Sequence, residues 1–489
     1  MMWYGFIYYI LFNFLLLLFY FFYLKIQLII STNQYKYLIN YNSIFVYTVF
    51  YLFWIILVMI NYFHTEILNL SFCFLNLNLY TPTISLIFYN EDMFLNILQV
   101  YYYPYIYIFV LITSLSIVYT LTYSINEFKD FMYYLLLITI AGLVLFFSNS
   151  IILFFMAYET LLIPSFFILY KYAKTKRSVE AAYLMFFWTQ FGALFLITLF
   201  MYLFLITNSS YFSVIEVTYF SNYEINFFFV FLIVGFGVKL PIWPFYGWLP
   251  KAHVEASTNF SIFLSGVLVK FAFFGLLKVL LVLSVEPTFT FVYPFLFIGL
   301  VDSALKLFYQ IDLKKLVAYS TVLEMHWLTI CIISGQSNLL LSGYCMLISH
   351  ALLSTNSFLL VDAIARRFKT RLITEISGVN FLTPKLFLIA LINLLVFLGF
   401  PGTLFFIAEF LFFAFFFDLF PLMAIISMLL LYLIAPTFFF KSWMNALFGY
   451  SAFLQKKLPA DLTLSEFVIF TFVLVLMLWL SIIWQSFLF

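Results

Sequence analysis

The sequence predicts an all-α, polytopic membrane protein of about fourteen transmembrane helices, and three observations predict it. Of the 489 residues, 66% are hydrophobic and only 9% are charged, against about 25% charged in a soluble domain; no soluble core could absorb so much apolar surface. Fourteen apolar stretches reach the roughly 20 residues that span hydrocarbon. Lys and Arg alternate between the connections of those stretches, as they do when one side of a membrane retains positive loops.

Taken in order, the spans are Tyr4–Leu24, Ile44–Phe63, Pro104–Tyr123, Phe131–Ser148, Ile151–Tyr172, Ala181–Ile206, Phe227–Trp248, Ser257–Leu283, Thr288–Tyr309, Lys315–Ser334, Asn338–Ala363, Pro384–Phe415, Phe420–Phe440 and Glu466–Phe487. The first begins almost at Met1 and lacks a basic lead and a small-residue cleavage site. It reads as a retained helix rather than a signal peptide. Thr65–Tyr103 is less periodic and contains Glu91 and Asp92; it reads as an extramembrane loop, part of it re-entrant. Four segments result: 1–130 with the first three helices and the long loop, 131–283 with helices four to eight, 284–440 with helices nine to thirteen, and 441–489 with a loop and the last helix.

All but three of the 22 Lys and Arg residues fall in the odd-numbered connections or at helix ends beside them. Both termini are therefore expected on the opposite, positive-potential side. The exceptions are Lys239, Lys270 and Lys278, all within the seventh and eighth helices. Two helices carry internal breakers: Lys239-Leu240-Pro241 in the seventh and Gly399-Phe400-Pro401-Gly402 in the twelfth. Proline removes a backbone donor, and interrupted helices at matching places in two halves point to an inverted repeat around an ion path. Here helices four to eight would match nine to thirteen.

Several chemistries are excluded. Cys73, Cys331 and Cys345 stand far apart with no CxxC, so a protein-held iron–sulfur or zinc site is not expected. No GxGxxG or P-loop occurs, and no Ser/His/Asp arrangement is suggested on one face. The net charge of +2 says little in total. The 72 Phe and 37 Tyr against 15 Gly exceed what helix packing needs; they point to AT-rich codons and an organellar gene.

A charge at mid-bilayer costs about 2.5–3.5 kcal/mol on insertion scales, so each one is read as functional. Lys239 and Lys270 flank the polar bend PIWPFYGWLPKAHVEASTN. Glu159 offers Lys239 a partner, although at about 1.5 Å per residue the two differ in depth by about 6 Å; the bland alternative for Glu159 is a neutral acid bonded to a carbonyl. Lys270 is central in its helix. Lys278, two turns on, reads as an end residue that snorkels. His350 has Ser349, Ser354, Thr355 and Asn356 nearby, and Glu324 and His326 stand one helix earlier; a lone histidine is more often a bonded packing residue. Glu409 is the one acid deep in the twelfth helix. By helix order the file is Glu159, Lys239, Lys270, then Glu324 or His350, then Glu409, a row that can pass protons through waters. The basic loops Lys171–Arg177 and Arg366–Arg371 are topology signals first and contacts for anionic lipid such as cardiolipin second.

These residues carry a resemblance. GVKLPIWPFYGWLPKAHVEASTNFSIFLSGVLVKFAFFGLLK, with LPKAHVEA its most specific part, and then QIDLKKLVAYSTV, LISHALLS, GFPGTLFFIAEF and DLTLSEF, are similar to the antiporter-like subunits of respiratory complex I, and Glu409 in place of a lysine favours the subunit 4 branch over subunits 2 and 5. The likeness runs from about Phe131 to Phe489. It implies fourteen helices in two inverted five-helix repeats, with Glu159, Lys239, Lys270, His350 and Glu409 on a proton path. Glu324 stands where the family usually has histidine, and Ser257 where it has proline; His326, turned about 200° away on the helix, is no simple replacement. The resemblance further implies a chain without cofactor of its own, with FMN, iron–sulfur clusters and ubiquinone in partner subunits. Subunits 2 and 5 would be its neighbours, the mitochondrial inner membrane its place with the basic loops toward the matrix, and nucleic acid no partner. A cation/proton antiporter subunit and a non-pumping structural subunit are the alternatives.

Overall fold

The structure is a computed structural model and describes residues 109, 111–113, 115, 116, 125–173, 175–283, 292–429, 443–448 and 459–488. The first two expected spans, the Thr65–Tyr103 loop and most of the third span lie outside them, as does the second half of the thirteenth. The described residues lie in one unit, Glu91–Phe489, and among them no strand forms. Among the described residues, six helices are long and apolar enough to cross a membrane: Ile151–Lys171, Lys176–Thr207, Asn222–Lys239, Thr258–Val282, Leu313–Ile333 and Ser337–Phe368.

Helix α1 (Ile125–Phe147) leads into α2 (Ile151–Thr160) and α3 (Leu162–Lys171), expected as one unbroken span. Pro164 has no N–H for the Thr160 carbonyl four residues back, and the helix stops for one residue at Leu161. Helix α4 (Lys176–Thr207) starts on a reciprocal cap between Thr175 and Ser178, a device that satisfies two orphan donors at once. After the short α5 (Phe212–Val217), α6 (Asn222–Lys239) starts on a second such cap between Ser221 and Glu224. Helices α4 and α6 meet at two glycines. A Cβ on Gly192 would lie 2.7 Å from the Gly235 carbonyl oxygen, and one on Gly235 would lie 2.6 Å from Leu196, so only glycine allows this approach.

The expected break after Lys239 is present: α6 ends there, and α7 (Trp248–Glu255) starts only after an irregular stretch. The eighth span is less regular than expected. Helix α8 (Thr258–Phe263) widens into a single π turn at Leu264–Leu268 and continues as α9 (Val269–Val282). Then follow α10 (Val292–Phe308), α11 (Leu313–Ile333), α12 (Ser337–Phe368), α13 (Val379–Leu382), α14 (Pro384–Phe397), α15 (Leu404–Leu419), α16 (Pro421–Met428) and α17 (Leu464–Leu488). The predicted break of the twelfth span is the gap between α14 and α15. Gly399 and Gly402 turn there with positive φ of 67° and 95°, which glycine adopts without a Cβ penalty, and Thr403 caps α15 through the Phe406 N–H.

The apolar windows of Thr258–Val282, Leu313–Ile333 and Ser337–Phe368 are 94%, 94% and 100% buried, against 39% for α4 and α6. Helices α9, α11 and α12 thus form the core, and the first pair its flank. Much of the basic loop read as a topology and lipid signal is tied down internally. Arg366 pairs with Asp362, Arg367 reaches Glu466 at 2.5 Å, and Arg371 and the buried Lys314 donate to the carbonyls of Val254 and Ala256 at 3.0 and 2.5 Å. Two cations on the last carbonyls of α7 suit the negative end of a helix, and they fix the start of α8.

Candidate functional site

The separation in depth expected between Glu159 and Lys239 is closed. Lys239 Nζ lies 3.3 Å from Glu159 Oε1 and 3.3 Å from the Tyr158 carbonyl oxygen, with the Tyr158 ring centroid at 3.4 Å. Gln190 Nε2 donates to the other carboxylate oxygen at 3.2 Å. The pair forms because both helices stop at it: α2 ends one residue after Glu159, and α6 ends on Lys239 itself. Glu159 is therefore an ion-pair partner here, not an acid bonded to a carbonyl.

Lys270 follows the π turn, and the turn gives it a partner. The Val269 N–H reaches five residues back to Leu264 O instead of four residues back to Ser265 O. The Ser265 carbonyl is passed over, as happens at such bulges, and Lys270 Nζ donates to it. The same Nζ stands 2.6 Å from His350 Nδ1, and both side chains are buried.

His350 Nε2 in turn stands 3.5 Å from Glu324 Oε2, close enough for an ion pair but without the alignment of a hydrogen bond. The arrangement fits an imidazole that accepts at Nδ1 and carries its proton on Nε2. Glu324 is within electrostatic reach of both Lys270 and Glu409. By contact the groups follow in the order Lys270, His350 and Glu324, with Glu409 next in electrostatic reach. Glu409 is buried on α15, which is held to α12 by the Ser342 hydroxyl on the Ala408 carbonyl at 2.8 Å.

Beside Lys239 lies a cavity of about 40 Å³. Lys239, Tyr158, Ser165 and Thr189 line one part of it, and Leu264, Leu268 and Val269 of the π turn line another. At about 10–15 Å³ for each water, it has room for about three or four.

Lys278 corrects the reading as a snorkelling residue. It is buried, donates to the Ser148 carbonyl at 2.6 Å and lies 5.0 Å from the Phe212 ring centroid. A cation beyond the last turn of α1 meets the free carbonyls there, which is a better place for it than the membrane surface. His326 points away from the file, as expected: its Nε2 accepts the Trp243 N–H at 2.8 Å. Two residues were missed. Gln190 holds Glu159 from α4. His253, inside LPKAHVEA, is fully buried, stacked on Phe358 with ring centroids 4.8 Å apart, with neither ring nitrogen hydrogen-bonded. It is within electrostatic reach of Lys270 and His350, and its polar neighbourhood in the bend was the available signal. Among the described residues, no three His, Cys, Asp or Glu side chains gather as a metal site.

The model of the NADH:quinone oxidoreductase/Mrp antiporter transmembrane family matches residues 148–435, a stretch that contains all six residues of the file. The chain belongs to this family. Within the NADH:quinone oxidoreductase/Mrp antiporter family, it is 39% identical over 300 residues to NADH-ubiquinone oxidoreductase chain 4 of Paramecium tetraurelia, 61% of this chain and 63% of that one. The protein of the same name from Marchantia polymorpha is 32% identical over 293 residues, 59% of each. The chain thus matches about three fifths of the length of these curated relatives. Two solved assemblies share the antiporter-family fold. A chain of respiratory complex I from Thermus thermophilus with bound NADH superposes with a TM-score of 0.70 at 21% identity, covering 78% of this chain and 81% of that one. A chain of the Mrp complex from Dietzia sp. does so with 0.69 at 14% identity, covering 78% and 80%.

Proposed function

We propose that this chain is a proton-translocating membrane subunit of an NADH:ubiquinone oxidoreductase, complex I, in the mitochondrial inner membrane. The observation that carries the reading is the contiguous set Lys270, His350 and Glu324, with consecutive separations of 2.6 and 3.5 Å, flanked by the Lys239–Glu159 pair at 3.3 Å. Buried ion pairs are on balance weak stabilisers, so stability alone is a poor reason for such a row of buried acids and bases, and proton transfer between them is a better one. A match at 39% identity to a chain named NADH-ubiquinone oxidoreductase chain 4 favours the oxidoreductase over a cation/proton antiporter or a structural subunit.

In this reading the full chain has fourteen helices in two inverted five-helix repeats, and the broken helices at Lys239 and before Glu409 are corresponding elements. The segments are those at 1–130, 131–283, 284–440 and 441–489. NADH oxidation, FMN, the iron–sulfur clusters and ubiquinone belong to partner subunits, and subunits 2 and 5 are the neighbours. The gene is organellar, and the basic loops face the matrix.

The transport steps follow from the contacts. The Glu159 carboxylate is the countercharge of the Lys239 ammonium at 3.3 Å; opening the pair removes that countercharge and frees the lysine proton to leave toward the cavity lined by the π turn. A proton leaves Lys270 Nζ for His350 Nδ1, and the proton on His350 Nε2 passes to Glu324. The imidazole ends neutral in its other tautomer, Lys270 ends as an amine and Glu324 as an acid, ready to pass the proton toward Glu409. Moving one charge against about 100 mV costs about 2.3 kcal/mol, which the redox reaction must supply.

The reading is tested by purifying the chain from its native membrane. Co-purification with a flavin and iron–sulfur assembly whose NADH oxidation acidifies one side of a sealed vesicle is the expected result. Sodium-coupled proton exchange without redox centres would assign it to the antiporters instead.

A further inference from the structure

The break after Lys239 contains two prolines, Pro241 and Pro244, and few backbone donors. Leu240 N–H bonds Phe236 O, Ile242 N–H bonds Gly237 O and Phe245 N–H bonds Ile242 O. Each of these stays within the segment. The Trp243 N–H does not: it goes to His326 Nε2 on α11 at 2.8 Å. The other ring nitrogen of His326 is fixed on the Val322 carbonyl at 2.8 Å, which leaves Nε2 as the acceptor. Tyr246 packs on the ring edge-on, with centroids 6.0 Å apart. Two residues before His326 on the same helix stands Glu324, on the opposite side and against His350.

Gly299 on α10 makes room for this contact. A Cβ there would lie 2.1 Å from His326 Nε2 and 2.9 Å from Trp243 Cβ. No rotation of a flexible tip relieves that overlap, because the imidazole is held at both nitrogens. Glycine at 299 and histidine at 326 are thus one arrangement.

We infer that His326 is a positioning residue that couples the Lys239 break to Glu324, so that opening of the Lys239–Glu159 pair is transmitted through Trp243 and α11 to the central part of the file. This rests on the proton-translocating reading above. Glu324 and Lys239 need not touch for one to sense the other: a rigid helix carries the anchor on one face and the relay acid on the other, and contiguous packed elements of this kind can transmit such coupling. An imidazole that takes up a second proton has no lone pair for Trp243, so the anchor acts only while His326 is neutral.

The test uses the whole complex in sealed membranes and measures protons moved per NADH oxidised, with the amount of assembled complex as a separate readout. His326→Ala and Gly299→Ala are expected to lower protons per NADH about two- to tenfold, the span of one net hydrogen bond, while the complex assembles. His326→Gln, which keeps an acceptor near the Nε2 position, is expected to restore most of the ratio. The double variant is expected to be no worse than His326→Ala alone, since both remove one contact. A normal ratio in Gly299→Ala, or equal losses in His326→Gln and His326→Ala, overturns the coupling role, as does a fall only in the amount of complex. Lys239→Ala is run beside them. If it pumps normally, the functional reading itself is wrong and the inference falls with it; if Lys239→Ala fails to pump while His326→Ala pumps normally, only the inference falls.

Discussion

Lys270 Nζ and His350 Nδ1 stand 2.6 Å apart, and both side chains are buried. At that distance and burial the two cannot both be cations, so a proton gained by one is a proton denied to the other. The pair titrates as a unit, and the unit has an outlet, because His350 Nε2 faces Glu324 on the far side of the ring. A lysine with only a carbonyl for company would have nowhere to send its proton.

Replacement of His350 by glutamine follows from this. The amide keeps a polar side chain in the same core but cannot gain a proton at one atom and lose it from another. NADH oxidation coupled to proton movement is expected to fall by about a hundredfold or more, within the 10²–10⁴-fold typical of a lost acid–base group, with normal assembly of the complex. Coupled activity near that of the unmodified protein would remove His350 from the path.

The pair at the other end makes a different prediction. Glu159→Gln removes the negative charge that holds the Lys239 proton but leaves a hydrogen-bonding side chain for Gln190 and Lys239. Pumping is expected to fall more than the amount of complex does, because charge is lost and packing is not. Proton flux in reconstituted vesicles checks it, and a variant that assembles and pumps at full rate would show the pair to be structural.

How much of this was legible in the sequence depends on the residue. Lys239, Lys270 and Glu409 stood out as charges within apolar runs, and the breaks at Pro241 and at Gly399–Gly402 were marked by their own residues. The break at Leu161 was marked as well, by Pro164, but a single proline in a long apolar run did not force it. The π turn before Lys270 has no such marker: a single hydrogen bond widened from four residues to five leaves no proline or polar cap in the sequence. The depth difference between Glu159 and Lys239 assumed straight helices, and it disappears once both helices end at the pair. Lys278 was misread for a related reason: its partner carbonyl at Ser148 is 130 residues away, and no local pattern announces it.

Lys278 therefore carries a stability prediction rather than a pumping one. Lys278→Met removes a charge-assisted bond to a buried carbonyl, a contribution of about 1.5–3 kcal/mol, and leaves Ser148 O to find another donor. The amount of assembled complex is expected to fall, with protons per NADH unchanged in what remains. An altered ratio with normal assembly would place Lys278 in the proton path after all.

Glu409 tests where the file leads. Glu324 is in electrostatic reach of both Glu409 and Lys270, so in the proposed path a proton on Glu324 is drawn onward only if Glu409 can accept it. Glu409 lies on α15, six residues after Thr403 caps the restarted helix, and the break upstream leaves backbone groups that can hold water. A glutamine there keeps the size and the hydrogen bonding but cannot ionise. Glu409→Gln is expected to stop net pumping while Glu324 still exchanges its proton with His350, so the lesion lies after the central cluster. Infrared difference spectra during turnover would show it: the carboxylic acid band assigned to Glu324 by a Glu324→Gln control should persist and accumulate in Glu409→Gln. Normal pumping by that variant, or loss of the Glu324 signal with it, would place the end of the path at another residue.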